Sequence, residues 1–245
     1  MQKYRLLIEY DGTDFCGWQS QKGNRQSIQE TIEKALKQIL RVDIPVTGAG
    51  RTDAGVHAYG QVAHFKTSQI FTAKNLLYSL NAILPRSVTI KRIDKAKEEF
   101  HARYSAVRRE YIYKMSFDRR SVERQYFYKL NYELDFTLIN EFIEVLRGYN
   151  SFKSLCKNAS DKHEFKCDLI VLEYKKRISR NELIFRIEAN RFLHSMVRAV
   201  LGCLLDVGRG RLGFEETKQQ FLKGEKIKTT FLPANALFLN KIYYR

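Results

Sequence analysis

The chain has 245 residues, enough for one large domain or two small ones with a real core. Lys and Arg outnumber Asp and Glu by 43 to 27, giving a net charge of +16 and a pI near 9.7; this excess marks a protein that meets a polyanion. The longest uncharged apolar run, 199–205, is far too short to cross a bilayer, and no apolar stretch of the signal-peptide kind follows Met1. Cys16, Cys156, Cys167 and Cys203 form no Cys-x-x-Cys pair, so free thiols and a cytoplasmic location are expected. Cys156, His163 and Cys167 lie close in sequence but lack a fourth ligand and fit no standard zinc spacing. The basic residues are spread along the chain in short clusters, among them Arg108-Arg109, Arg119-Arg120, 175–177 and Arg209-Gly-Arg211, and fourteen Tyr and sixteen Phe offer stacking faces for unpaired bases.

In chain order, 3–10 is β-rich and runs into Asp11-Gly12, a strand leading to a turn. Ser27-Ile-Gln-Glu30 is a capping box, and Ile28, Ile32, Ala35, Leu36 and Ile39 behind it recur at helical spacing. Short strands are expected at 46–47 and 61–66, a helix over 74–83 ended by Pro85, and a strand over 87–93. Residues 106–117 alternate, with Val107, Arg109, Tyr111, Tyr113 and Met115 on one face. A helix follows at 138–147, strands at 169–174 and 183–188, helices at 191–207 and 215–222, and a last strand at 236–244. The mixture repeats, giving an α+β class with two halves of similar size, 1–104 and 105–245.

One carboxylate stands out. Gly48-Ala-Gly-Arg-Thr-Asp-Ala-Gly-Val-His-Ala58 places Asp53 in a glycine-rich turn between two strands, with Arg51 two positions before it. Glycines permit a tight turn and let a substrate come near the backbone, and a loop on a rigid edge is where functional residues are commonly carried. Aspartate before a small residue and glycine is also an ordinary turn former, so the spacing alone leaves both readings open. A phosphate cradle does not fit: the Gly-Lys-Ser/Thr ending is absent and the glycines miss the dinucleotide spacing. In the expected helix 191–207, Arg191, His194 and Arg198 form a polar stripe, three and four apart, on an otherwise apolar surface. A buried arginine there calls for an anionic partner; solvent exposure of the stripe is the alternative.

The Asp53 segment resembles the central motif of the tRNA pseudouridine synthase A family, and further matches follow in the family's order. They are Glu9-Tyr-Asp-Gly-Thr-Asp-Phe-Cys-Gly-Trp-Gln19, Gly60-Gln-Val-Ala-His-Phe65, Leu80-Asn-Ala-Ile-Leu-Pro85, Phe100-His-Ala-Arg103, Arg109-Glu-Tyr-Ile-Tyr113, Asn190-Arg-Phe-Leu-His-Ser-Met-Val-Arg-Ala-Val-Leu-Gly202 and Pro233-Ala-Asn-Ala-Leu-Phe-Leu239. Gly148-Tyr-Asn-Ser-Phe152 resembles a further element, after which the sequence departs from the family pattern. The resemblance implies the pseudouridine synthase fold, two α/β halves with a mixed, mostly antiparallel central sheet flanked by helices. It implies conversion of uridine to pseudouridine at positions 38, 39 and 40 of the tRNA anticodon stem-loop, by a homodimer that grips one tRNA across both subunits.

Residue by residue, the resemblance makes Asp53 the catalytic carboxylate and Arg198 its cationic partner, which would lower the Asp53 pKa and keep it ionised. Tyr111 would stack on the uracil, Arg51 would help hold the nucleotide out of its stack, and Leu239, in preference to Leu237, would wall the pocket. His57 and His64 have no such role in the family and read as structural histidines. The reaction exchanges an N1–ribose bond for a C5–ribose bond with no redox change, so no cofactor and no metal are expected. Flipping is required because the ring must turn, which it cannot do inside a helix.

Two other classes explain part of the sequence. A non-catalytic RNA binder accounts for charge and aromatics but has no need of Asp53, Tyr111 and Arg198 together. A metal-dependent nuclease needs several carboxylates to hold its ions, and the Asp53 loop offers one. For a tRNA partner, phosphate contacts release counterions, so affinity for a tRNA transcript, followed by filter binding, is expected to fall steeply as salt is raised.

Overall fold

Tyr4, Leu6, Ile8 and Tyr10 are buried and alternate with the more exposed Arg5, Leu7 and Glu9, the period-2 pattern of a strand with one face on a core. In the computed structural model, which describes residues 1–19, 26–157 and 164–245, the chain divides into two compact units, Met1–Val107 with Phe238–Arg245 and Arg108–Leu237. His163 lies outside the described residues.

In the first unit, β1 (Gln2–Tyr10) is followed by α1 (Ile28–Leu40), β2 (Thr47–Gly48), β3 (His57–Thr67), α2 (Ala73–Ile83) and β4 (Val88–Ala96). Ser27 caps α1 through its side chain, accepting from the Glu30 N–H at 3.1 Å. Ile28, Ile32, Ala35 and Leu36 turn inward as their spacing requires, while Ile39 is only half-buried. β1 pairs antiparallel with both β3 and β4, and β2 pairs antiparallel with β3. Asn81 of α2 bonds both main-chain groups of Ile90, at 2.9 and 2.8 Å, next to the register shift between Leu7 and Ile8.

The second unit begins in β5 (Ala106–Ser116) and continues with β6 (Tyr128–Lys129), α3 (Phe136–Arg147), β7 (Leu169–Arg177), β8 (Glu182–Ala189), α4 (Met196–Gly208) and α5 (Phe214–Lys223). β8 lies between β5 and β7, antiparallel to both, and β6 runs parallel to β5. Register puts Tyr111, Tyr113 and Met115 opposite Ile187, Phe185 and Leu183, all buried. The alternate residues form a charged face. Arg186 reaches Glu110, Glu173 and Glu188 at 3.0, 3.0 and 3.1 Å, and Arg108 reaches Glu188 at 2.7 Å. The nearly buried carboxylates of Glu110 and Glu188 are thus paired, as a desolvated charge must be.

The final strand, β9 (Leu237–Tyr244), pairs parallel with β3 through His57↔Phe238 and Ala58↔Leu239. Sequence order places this strand in the second half; from Phe238 onward it belongs to the first unit.

The expected helix over 191–207 is shorter than its pattern. α4 begins at Met196, after Ser195 in a left-handed conformation (φ 55°). The preceding carbonyls have other donors: Arg109 at Asn190, the Cys167 thiol at Arg191 and the Lys157 N–H at His194, at 2.7, 2.8 and 3.0 Å. Asn190 is also tied to Asp168 through its side chain. Arg191 and His194 therefore stand outside the helix, and the three-residue stripe does not exist as a helical face.

Toward the far end of β3, the Ala102 N–H donates to His64 Nδ1 at 3.1 Å. Burial, with His101, Lys3 and Lys66 nearby, lowers the His64 pKa from 6.5 to about 4. Between those values the unfolded chain binds a proton that the folded chain does not. The contribution of His64 is therefore complete above pH 6.5 and is lost as pH falls toward 4. Urea unfolding across this window should show a shallower pH slope for His64→Gln than for the wild type.

Candidate active site

The Asp53 loop spans the gap between β2 and β3 and is held at nearly every residue. The Ala49 N–H donates to Val62 O at 2.7 Å, and the Gln61 side-chain amide donates to Gly50 O at 2.9 Å. The Trp18 N–H donates to Thr52 O at 3.1 Å, and the Tyr10 hydroxyl shares a 2.8 Å hydrogen bond with Thr52 Oγ1. Burial pushes the Tyr10 phenol above its ordinary value, so it remains a neutral hydrogen-bonding partner. Asp53 O then accepts from the Val56 N–H at 3.2 Å, closing a turn through Gly55 at φ 77°. Thr52 is buried, Asp53 half-buried and Arg51 exposed.

A second segment braces the first. Gly17 lies so near the loop that a Cβ there would sit 2.5 Å from Thr52 O and 3.1 Å from the Asp53 carbonyl carbon. Gly17 has φ 108°, a conformation open to glycine and strained for other residues. The carbonyls of Gly17 and Trp18 accept from the Ile28 and Gln29 N–H groups at the start of α1, at 3.1 and 3.0 Å. Trp18 is buried with its indole against Gly48. The Asp53 loop is thereby linked through Gly17 and Trp18 to the helix. Nothing in the spacing of 48–58 reveals this brace; its signal is the second glycine motif, 9–19.

His57 and His64 are both engaged structurally. The Gly12 N–H donates to His57 Nδ1 at 3.0 Å, and the His57 ring stacks on Phe238 with centroids 4.6 Å apart. Leu239, opposite Ala58, is fully buried. Asp53, Arg51 and Leu239 thus belong to the first unit, with Leu239 entering five residues beyond Asp53 through its strand partner.

Tyr111 and Arg198 belong to the second unit. Tyr111 sits in β5, 8% exposed, with Phe192 edge-on to its ring at 5.2 Å and 87°. Phe192 lies in the segment that fails to become helix, so the break in α4 gives Tyr111 this neighbour. Every residue of α4 except Arg198 is buried, and Arg198 Nε donates to Leu232 O at 2.5 Å. Beside it, Tyr113 donates its hydroxyl to Pro233 O at 2.8 Å. Among the described residues no cluster of three or more His, Cys, Asp or Glu is placed to hold a metal ion, and no helix is long and apolar enough to cross a membrane.

The family model described as tRNA pseudouridine synthase matches residues 6–105 and 143–245, and the chain belongs to that family. A tRNA pseudouridine synthase A from Bacteroides thetaiotaomicron is 39% identical over all of this chain and 91% of its own length. Relatives of the same name from Leptospira biflexa and Thermodesulfovibrio yellowstonii are 38% and 35% identical, again over all of this chain and over 94% and 100% of their own.

In Gly17→Ala the methyl group must displace Thr52 O, moving Asp53, while the core of the unit is untouched. Catalytic turnover should fall by about 10²-fold, with far-ultraviolet circular dichroism unchanged.

Proposed function

We propose that the protein isomerises uridine to pseudouridine in tRNA at positions 38, 39 and 40 of the anticodon stem-loop, acting as a homodimer with the uridine flipped from its stack. The observation that carries this reading is the hydrogen-bonded Asp53 loop in a chain whose residues 6–105 and 143–245 match the tRNA pseudouridine synthase family. A carboxylate that must hold a ribose while uracil turns needs a fixed origin, because misplacement by about 1 Å is enough to lose much of the rate.

In this reading Asp53 is the catalytic carboxylate and Arg198 its cationic partner. Tyr111 stacks on the uracil, Arg51 holds the nucleotide outside the helix, and Leu239 supplies an apolar wall. The N1–C1′ bond breaks and a C5–C1′ bond forms, the C5 proton leaves to solvent, and N1 ends protonated. Asp53 attacks the ribose carbon, or it removes a ribose proton and releases the base through a glycal; both routes use one carboxylate. The excess of basic residues supplies phosphate contacts for the tRNA.

The test uses unmodified tRNA transcripts carrying tritium at uracil C5, with EDTA present. Wild-type protein is expected to release label to water, and Asp53→Asn none above background. Transcripts keeping a uridine at only one of the three positions assign the target. Tight tRNA binding with no release from any anticodon-arm uridine would sink the proposal.

A further inference from the structure

Arg198, Gly202 and Asp206 are spaced four apart on α4 and so share one face. The segment 229–232 lies along that face and is fastened to each of them. Leu232 accepts from Arg198 Nε at 2.5 Å and returns its own N–H to the Arg198 carbonyl at 3.3 Å. One turn on, Gly202 leaves no room for a side chain: a Cβ there would lie 1.7 Å from Thr230 O. A turn further, Asp206 Oδ2 accepts from the Thr230 N–H and from Thr229 Oγ1, both at 3.0 Å.

Asp206 is itself buried, and Arg209 and Arg211 hold it at 2.5 and 3.3 Å. Burial opposes its ionisation, yet the hydrogen bonds from Thr230, Arg209 and Thr229 hold its carboxyl below the usual range. Arg211 also bonds Thr230 Oγ1. Asp206 uses both oxygens as acceptors, Oδ1 for Arg209 and Oδ2 for Thr229 and Thr230, so exchanging either for an amide NH2 leaves donors without an acceptor at a part-buried position, which is costly.

A guanidinium is planar, so fixing the direction of its Nε–H fixes the plane and the aim of its remaining donors. We infer that Gly202 and Asp206 are positioning residues for the reaction: they clamp 229–232 onto α4, set the Leu232 carbonyl, and through it orient the Arg198 guanidinium. The inference rests on the role proposed above for Arg198. Thr229 completes the clamp at its outer end.

The clamp is tested by kcat and KM on tRNA for Asp206→Asn, Gly202→Ala, Thr229→Val and Thr229→Ser, each also in an Arg198→Lys background. The Arg198 Nε–H resonance is followed by NMR on arginine-labelled protein. Asp206→Asn and Gly202→Ala should lower kcat by about 10- to 10²-fold, with KM within about twofold. In the Arg198→Lys background the same changes should add nothing, since they act through a group already altered.

Thr229→Val should lower kcat and Thr229→Ser restore it, a pair that decides the matter if the two core variants do not fold. An equal loss in both backgrounds, or a wild-type kcat in folded Asp206→Asn or Thr229→Val, would overturn the clamp. So would an Arg198 Nε–H signal that Asp206→Asn leaves in place. That signal is read without turnover, so a wild type that releases no tritium overturns the proposed function while the clamp is still judged.

Discussion

The Asp53 loop depends on main chain lying against main chain. Gly17 approaches Thr52 and Asp53 more closely than any side chain permits, and the Trp18 N–H takes the Thr52 carbonyl. A glycine-rich loop between two strands would otherwise be the most mobile part of the unit. Its carbonyls and its buried hydroxyl are instead occupied by Gln61, Trp18, Val56 and Tyr10. The loop has few alternative conformations left, and Asp53 inherits that rigidity.

The second unit meets a related constraint with charge. Glu110, Glu188 and Asp206 are nearly removed from water, and each keeps its arginines within hydrogen-bond distance. Such pairs add little net stability against an apolar alternative; what they provide is direction. Glu110, Glu173 and Glu188 line up β5, β7 and β8 through one arginine, while Asp206 directs the chain from α5 back along α4. An apolar core alone would leave these segments free to slide.

The fate of 190–195 shows how local pattern and tertiary bonding compete. Phe192 and Leu193 continue the apolar pattern of α4 backwards from Met196 and Val197. Helix formation there would require carbonyls that Arg109, Cys167 and Lys157 already hold. The bonds formed elsewhere win, the helix starts at Met196, and Phe192 is turned toward Tyr111. Periodicity reports which residues avoid water and is silent about which carbonyls are taken.

Much was legible in the chain itself. Alternation in 3–10 and 106–117, the Ser27 cap and the inward spacing of Ile28, Ile32 and Leu36 determined strands and helices, because each depends on residues within a turn or two of one another. The ordered motifs determined the family. Leu239 opposite Ala58, Gly17 beneath Thr52, and Leu232 against Arg198 were decided only by the tertiary structure. Those contacts join residues from 34 to 181 positions apart, and closing such a loop is settled by the balance of many bonds across the fold, which no local pattern records.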